Sequence, residues 1–203
     1  MKKCLLVPLS DSDKVRPLRE MRSAALVRRP ARVLVAVASS QSGAFGWLLA
    51  DARPKLVMGI VAIEPNGPPF QNAVTDENKA RPWGLTDIPL TYSPSARAAN
   101  ELKAVREPLA DGPELTACWK QADPPRGLTR LQGIPVLVVT TQSSYHAAYD
   151  HCTAKYLTQA GVTNTFLRLE DQGIFGNGHM VMLEKNNLAV AALLQKWISG
   201  HIK

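Results

Sequence analysis

The sequence predicts an α/β protein built on a parallel sheet with flanking helices. Three apolar runs, at residues 33–38, 58–63 and 134–139, are typical of buried parallel strands, and a fourth strand is predicted at 164–169. Helix-like segments follow these strands, and strands that alternate with helices favour parallel pairing. The chain has 203 residues, which is enough for one domain with a substantial core.

Turn residues place the ends of the predicted helices. The first helix, near Gly43–Ala52, ends before Pro54 because proline lacks the amide hydrogen that a helix needs. A second helix is predicted at 149–160, where Gly161 is suited to close the carboxyl end. A final helix at 187–198 completes the domain.

A cluster of small residues follows the first strand and presents Ser40 as a candidate nucleophile. A strand that turns sharply into a helix displays the side chain at the turn, and the close approach of strand and helix requires small neighbours. Ala38, Ser42 and Gly43 are such neighbours, although the G-x-S-x-G pattern has glycine where Ala38 and Ser42 stand. The alternative is an ordinary strand-to-helix turn with a capping serine.

Glu64 and His179 complete a possible catalytic set. Glu64 ends the second strand before Pro65, and His179 lies in a glycine-rich loop after the last strand. Ligand sites of parallel sheets lie at the carboxyl ends of strands, and a carboxylate there orients a histidine. The alternative for Glu64 is a solvated charge at the end of a strand, and the alternative for His179 is a loop histidine without a catalytic role. Asp150 is the second candidate for the acid, although it is better suited to the first turn of a helix.

Four segments resemble the carboxyl-terminal two thirds of an α/β-hydrolase: SSQSGAFGWLLADARP, GIVAIEPNGPPF, WGLTDIPLTY and QGIFGNGHMVMLEKNN. More narrowly, they resemble a bacterial and fungal esterase-like group whose nucleophile turn has the sequence His-Ser-Gln-Ser/Gly-Gly. The resemblance covers roughly residues 32–200, and it implies Ser40 as nucleophile, Glu64 as acid and His179 as base. Ser39 departs from the pattern, because the group usually has histidine there.

The resemblance also implies that the fold is amino-terminally incomplete. An α/β-hydrolase places several strands before the nucleophile strand, and one of the early loops supplies half of the oxyanion hole. Only 32 residues precede Val33, so only the amide of Gln41 is expected as an oxyanion donor. Loss of one such donor typically lowers turnover by about 10²–10³. An unpaired edge of the nucleophile strand would also favour self-association.

These features predict a serine hydrolase that cleaves carboxylic esters of small molecules through an acyl-enzyme intermediate. The alternative is a catalytically impaired remnant of the fold, or a truncated product.

Two regions differ in composition from the rest of the predicted domain. Residues 1–32 form a basic segment that precedes the hydrolase-like domain at 33–203. A proline-rich stretch at about 66–127 is predicted to be a lid or a long loop, because connections of this length in compact domains are usually functional. Within it, residues 95–107 have a helix-like charge pattern.

The proline-rich stretch contains apolar side chains with two possible roles. Trp83, Leu85 and Leu90 are candidates for the substrate-binding wall above Ser40. The alternative is that these residues anchor the loop to the core.

Charge and cysteine content limit the partners. The net charge is +7, but no aromatic residues interleave with the arginines of residues 16–32, so nucleic-acid binding is not predicted. No run is long enough to cross a membrane. The three cysteines, Cys4, Cys118 and Cys152, imply neither a metal site nor a disulfide framework, and Cys152 is expected to be a small buried hydrophobe. No cofactor or metal is predicted.

The amino terminus favours a cytoplasmic location. The apolar run at residues 4–9 is short for the core of a signal peptide, and acidic residues follow it.

Overall fold

A four-stranded parallel sheet forms the centre of the protein, as predicted. The computed structural model describes residues 34–72 and 78–202, so the features expected within residues 1–32 lie outside the described residues. The order of strands in the sheet is β1-β2-β5-β6, and a separate antiparallel pair contains β3 and β4. The strands are β1 (Leu34–Ser40), β2 (Val57–Pro65), β3 (Ala104–Arg106), β4 (Trp119–Gln121), β5 (Val136–Thr140) and β6 (Asn164–Arg168).

In the part of the chain that the structure describes, three α-helices flank the sheet, each close to its predicted position. Within the described ranges, no helix combines the length and the apolar character that a membrane span requires. Short 3₁₀ helices occupy Ala99–Glu101, Tyr145–Ala148, Leu169–Gln172 and Val181–Leu183. The α-helices are α1 (Gly43–Ala52), α2 (Asp150–Gln159) and α3 (Asn187–His201).

The sheet has a hydrophobic cluster on each face. Successive residues of β2 alternate between the clusters, because neighbouring side chains of a strand point to opposite faces. Ile60 packs in the cluster that includes Trp47 of α1 and Tyr156 of α2. Val61 packs in the cluster that includes Trp197 of α3. Burial of both faces explains why the strand is a continuous apolar run in the sequence.

The helix-like charge pattern at 95–107 does not form an α-helix. The structure instead has the 3₁₀ turn Ala99–Glu101, followed by β3. Arg106 of β3 lies opposite Trp119 of β4, and Ala104 lies opposite Gln121. Pairing with a distant strand therefore overrides the local pattern. The assignment of 66–127 as a lid or long loop, and the domain boundaries, stay predictions.

A disulfide joins Cys118 to Cys152, which corrects the expectation that the cysteines form no cross-link. Cys152 is buried, as predicted, but it is bonded rather than free. The two cysteines are 34 residues apart. The sequence gives no sign of the pairing, because it depends on the packing of α2 beside β4.

Candidate active site

Ser40 ends β1 in a conformation that is uncommon for a residue with a side chain. Its φ is +54°, in the left-handed region, and two turn residues separate it from the start of α1. The first of these, Gln41, is exposed directly after Ser40. At Gly43 an added Cβ would lie 2.5 Å from the Cβ of Pro65, so glycine is required where α1 meets the end of β2.

The neighbouring hydroxyl of Ser42 is already engaged within the turn. Ser42 Oγ donates to the carbonyl of Ser39 at 2.6 Å and accepts from the Ser39 amide at 3.0 Å. These two bonds brace the turn and leave Ser40 as the serine that faces the candidate base.

Glu64 lies at the end of β2, fully buried, with a φ of +45°. Its Oε1 accepts from the backbone amide of Thr141 at 2.9 Å and from the Thr141 hydroxyl at 2.6 Å. Its Oε2 accepts from the Ser144 hydroxyl at 2.8 Å. Because β5 pairs with β2, residues that follow β5 lie beside this carboxylate and hold it in one orientation.

His179 bridges Glu64 and Ser40. Its Nδ1 lies 2.5 Å from Glu64 Oε2, and its Nε2 lies 2.9 Å from Ser40 Oγ. A carboxylate only accepts hydrogen bonds, so Nδ1 carries a proton and Nε2 is left to accept one from the serine. This arrangement is able to draw a proton from Ser40 as its oxygen attacks an electrophile. The structure thus brings together the three residues singled out from the sequence, while their catalytic roles stay predictions.

Asp150, the second candidate for the acid, pairs with a different histidine. Its Oδ1 lies 2.9 Å from Nδ1 of His146, and both side chains are buried. Burial lowers the pKa of His146 to about 4. Burial, assisted by the nearby charge of Glu64, raises the pKa of Asp150 well above its usual range.

Thr141, Ser144 and His146 contact the candidate triad but were not predicted from the sequence. All three lie in the polar run that directly follows β5, at the end of the sheet where ligand sites occur. Their position after a buried strand was the signal from which they could have been predicted as site residues.

Trp83, Leu85 and Leu90 are part of the hydrophobic core, with exposed fractions of 9%, 2% and 4%. They pack in the cluster that also contains residues of α1 and α2. Such burial favours the alternative that these side chains anchor the long loop. We therefore leave them out of the proposed site.

Among the described residues, two groups of side chains have donor atoms close enough to share a metal ion. One comprises Glu64, His146 and His179, and the other comprises Cys118, His151 and Cys152. In the first group, His179 is hydrogen-bonded both to Glu64 and to Ser40. In the second group, both sulfurs belong to the disulfide. Neither arrangement favours a metal centre over the contacts already present.

The fold is a parallel α/β sheet with Ser40, Glu64 and His179 at one end, and the chain is similar in sequence to a protein named as a lipase. The chain is 49% identical over 170 residues to the probable secreted lipase phiG of Fungal sp. (strain ATCC 74256). The match covers 83% of this chain and 46% of that protein, so the chain spans about half the length of this relative. No family model matches the chain.

Two solved structures with the word esterase in their descriptions also resemble the chain. One is a novel bacterial esterase, with 24% identity, a TM-score of 0.47, and coverage of 82% of this chain and 38% of that one. The other is a mutant of the esterase rPPE, with 16% identity, a TM-score of 0.44, and coverage of 84% and 51%.

The expectation of a cytoplasmic location is wrong. It is contradicted by the 49% identical relative, which is named as a secreted protein.

Proposed function

We propose that this chain is a serine hydrolase that cleaves carboxylic esters of small molecules. The observation that carries the proposal is the continuous line of hydrogen bonds from Ser40 Oγ through the ring of His179 to Glu64. The lipase name of the 49% identical relative supports the choice of an ester as substrate.

Ser40 is the nucleophile in this proposal. Its Oγ attacks the ester carbonyl carbon while its proton passes to Nε2 of His179, so a tetrahedral oxyanion forms. The amide of Gln41 follows the nucleophile directly in the chain and is the proposed donor to that oxyanion.

His179 then acts as an acid and afterwards as a base. The tetrahedral species collapses as the bond to the leaving oxygen breaks, and Nε2 returns its proton to the departing alcohol. The acyl group stays on Ser40. A water molecule, whose proton passes to Nε2, attacks the acyl carbon, and the carboxylic acid leaves as Ser40 recovers its proton.

Glu64 stabilises the protonated form of His179 and fixes its tautomer. Thr141 and Ser144 keep the carboxylate in position through three hydrogen bonds. An orienting carboxylate of this kind does not itself take up the proton.

We propose further that the protein works outside the cell. The secreted relative supports this location. The disulfide between Cys118 and Cys152 agrees with it, because disulfides persist in oxidising compartments and are rare in the cytosol.

Covalent labelling with a fluorophosphonate tests the proposal. We expect the wild-type chain to be labelled and peptide mass spectrometry to locate the adduct on Ser40. Ser40→Ala should abolish both labelling and hydrolysis of p-nitrophenyl esters without unfolding the chain. Ser199→Ala, an exposed serine on α3, is the matched control and should be labelled at the wild-type rate. A label that persists in Ser40→Ala would refute the assignment.

A further inference from the structure

A second histidine is stacked on the candidate base. The rings of His146 and His179 are parallel to within 1°, with their centroids 4.7 Å apart. His146 is 3% exposed, and Tyr149 packs against it with a centroid distance of 4.8 Å. Tyr145 contacts both histidines, at 4.6 Å and 5.0 Å. His146 is therefore held tightly against the face of the base.

Asp150 fixes the edge of the His146 ring. Its Oδ1 is 2.9 Å from Nδ1, and its side chain is fully buried. Burial lowers the pKa of His146 and raises the pKa of Asp150, and both shifts disfavour a charged pair. One proton between Nδ1 and Oδ1 then leaves an uncharged ring facing His179.

His146 is also connected to the acid through the backbone. Its amide donates to Ser144 Oγ at 3.1 Å, and that hydroxyl donates to Glu64 Oε2. The same residue thus touches the base by stacking and reaches the carboxylate through one hydroxyl.

We propose that His146, held by Asp150, is a positioning residue for His179. Its ring fixes the plane in which His179 must lie to reach Glu64 and Ser40 at once. An uncharged aromatic face also favours the imidazolium that forms during attack, whereas a second cation there would repel it. The inference rests on the proposed function, because His179 needs this support only if it acts as the base.

Two substitutions at His146 separate positioning from general stability. His146→Ala removes the stacked ring, and we expect kcat for a p-nitrophenyl ester to fall by about 10- to 100-fold, the effect of a misplaced catalytic group. KM should stay within about two-fold, because His146 is buried and offers little surface to a substrate. His146→Phe keeps a flat ring on His179 but cannot bond Asp150, so it should recover part of the lost kcat.

A matched control is available on α3. His201 also stacks on an aromatic ring, that of Trp197, at 4.4 Å and 14°, but it is exposed. His201→Ala should leave kcat unchanged. The inference is overturned if folded His146→Ala keeps the wild-type kcat. It is also overturned if folded His146→Phe is as slow as His146→Ala.

Nuclear magnetic resonance of the wild-type chain tests the inference without any substitution, so it applies even if the variants do not fold. Reaction of Ser40 with a fluorophosphonate changes the environment of His179. The ring-nitrogen resonances of His146 should then shift, whereas those of His201 should not. Unchanged His146 resonances in the labelled protein would overturn the inference alone. A wild-type chain that does not react at Ser40 would overturn the proposed function and this inference with it.

Discussion

Replacement of Glu64 by glutamine tests the role of the acid with the smallest change in shape. The carboxylate accepts four hydrogen bonds: two from Thr141, one from Ser144 and one from His179. Glutamine accepts at only one of its two end atoms and donates at the other. Two of the four donors therefore face a donor in Glu64→Gln.

The surroundings decide which way the glutamine lies. The backbone amide of Thr141 is unable to accept a hydrogen bond, so the amide oxygen of glutamine must face it. The NH₂ group then faces Ser144 and His179. The Ser144 hydroxyl can rotate and accept, but His179 can accept only if its proton moves from Nδ1 to Nε2. A proton on Nε2 prevents that atom from taking the proton of Ser40.

We therefore expect Glu64→Gln to lower kcat far more than stability. Loss of the correct tautomer in such a site lowers kcat by about 10⁴-fold, or about 5.5 kcal/mol in the barrier. The free energy of unfolding should fall by about 1–3 kcal/mol, the range for a buried group left without its partner.

Ester hydrolysis under saturating substrate and urea unfolding measure the two effects separately. Glu114→Gln, at an exposed glutamate, is the matched control and should change neither quantity. A folded Glu64→Gln protein that keeps more than about one tenth of the wild-type kcat would refute the reasoning, since the wrong tautomer allows no such rate.

Two further predictions concern packing and the disulfide. Gly43→Ala should lower the free energy of unfolding by about 1–3 kcal/mol in urea titrations, because the new Cβ overlaps Pro65; Gly200→Ala, with nothing within 4 Å, should not destabilise the chain, and equal stability of the two variants would contradict the packing argument. Replacement of Cys118 and Cys152 by alanine should lower the free energy of unfolding by about 4 kcal/mol, as expected for a cross-link spanning 34 residues. If the double variant has the same urea midpoint as the wild type, and reductant does not change the wild-type midpoint, the cross-link does not form.

The sequence was sufficient to predict that Ser40, Glu64 and His179 lie at one end of the sheet. Ser40 and Glu64 end strands whose apolar runs are unmistakable, and the loop of His179 follows the last strand. Parallel strands bring their carboxyl ends to the same edge, so the strand order hardly matters for this part of the prediction.

The supporting residues depend on which strands are neighbours. Thr141 and Ser144 reach Glu64 because β5 lies next to β2, and the sequence does not specify that order. The stacking of His146 on His179 and the pairing of Cys118 with Cys152 likewise depend on tertiary packing. Such contacts between distant residues have no local pattern from which a single sequence could predict them.

Trapping of the acyl-enzyme tests the central proposal most directly. The full chain is mixed with p-nitrophenyl butyrate, quenched with acid during the first turnovers, and digested for peptide mass spectrometry. Our account predicts a butyryl group on Ser40 in the wild type and none in Ser40→Ala. Hydrolysis of the ester with no butyryl group on Ser40, or with the group on another residue, would contradict it.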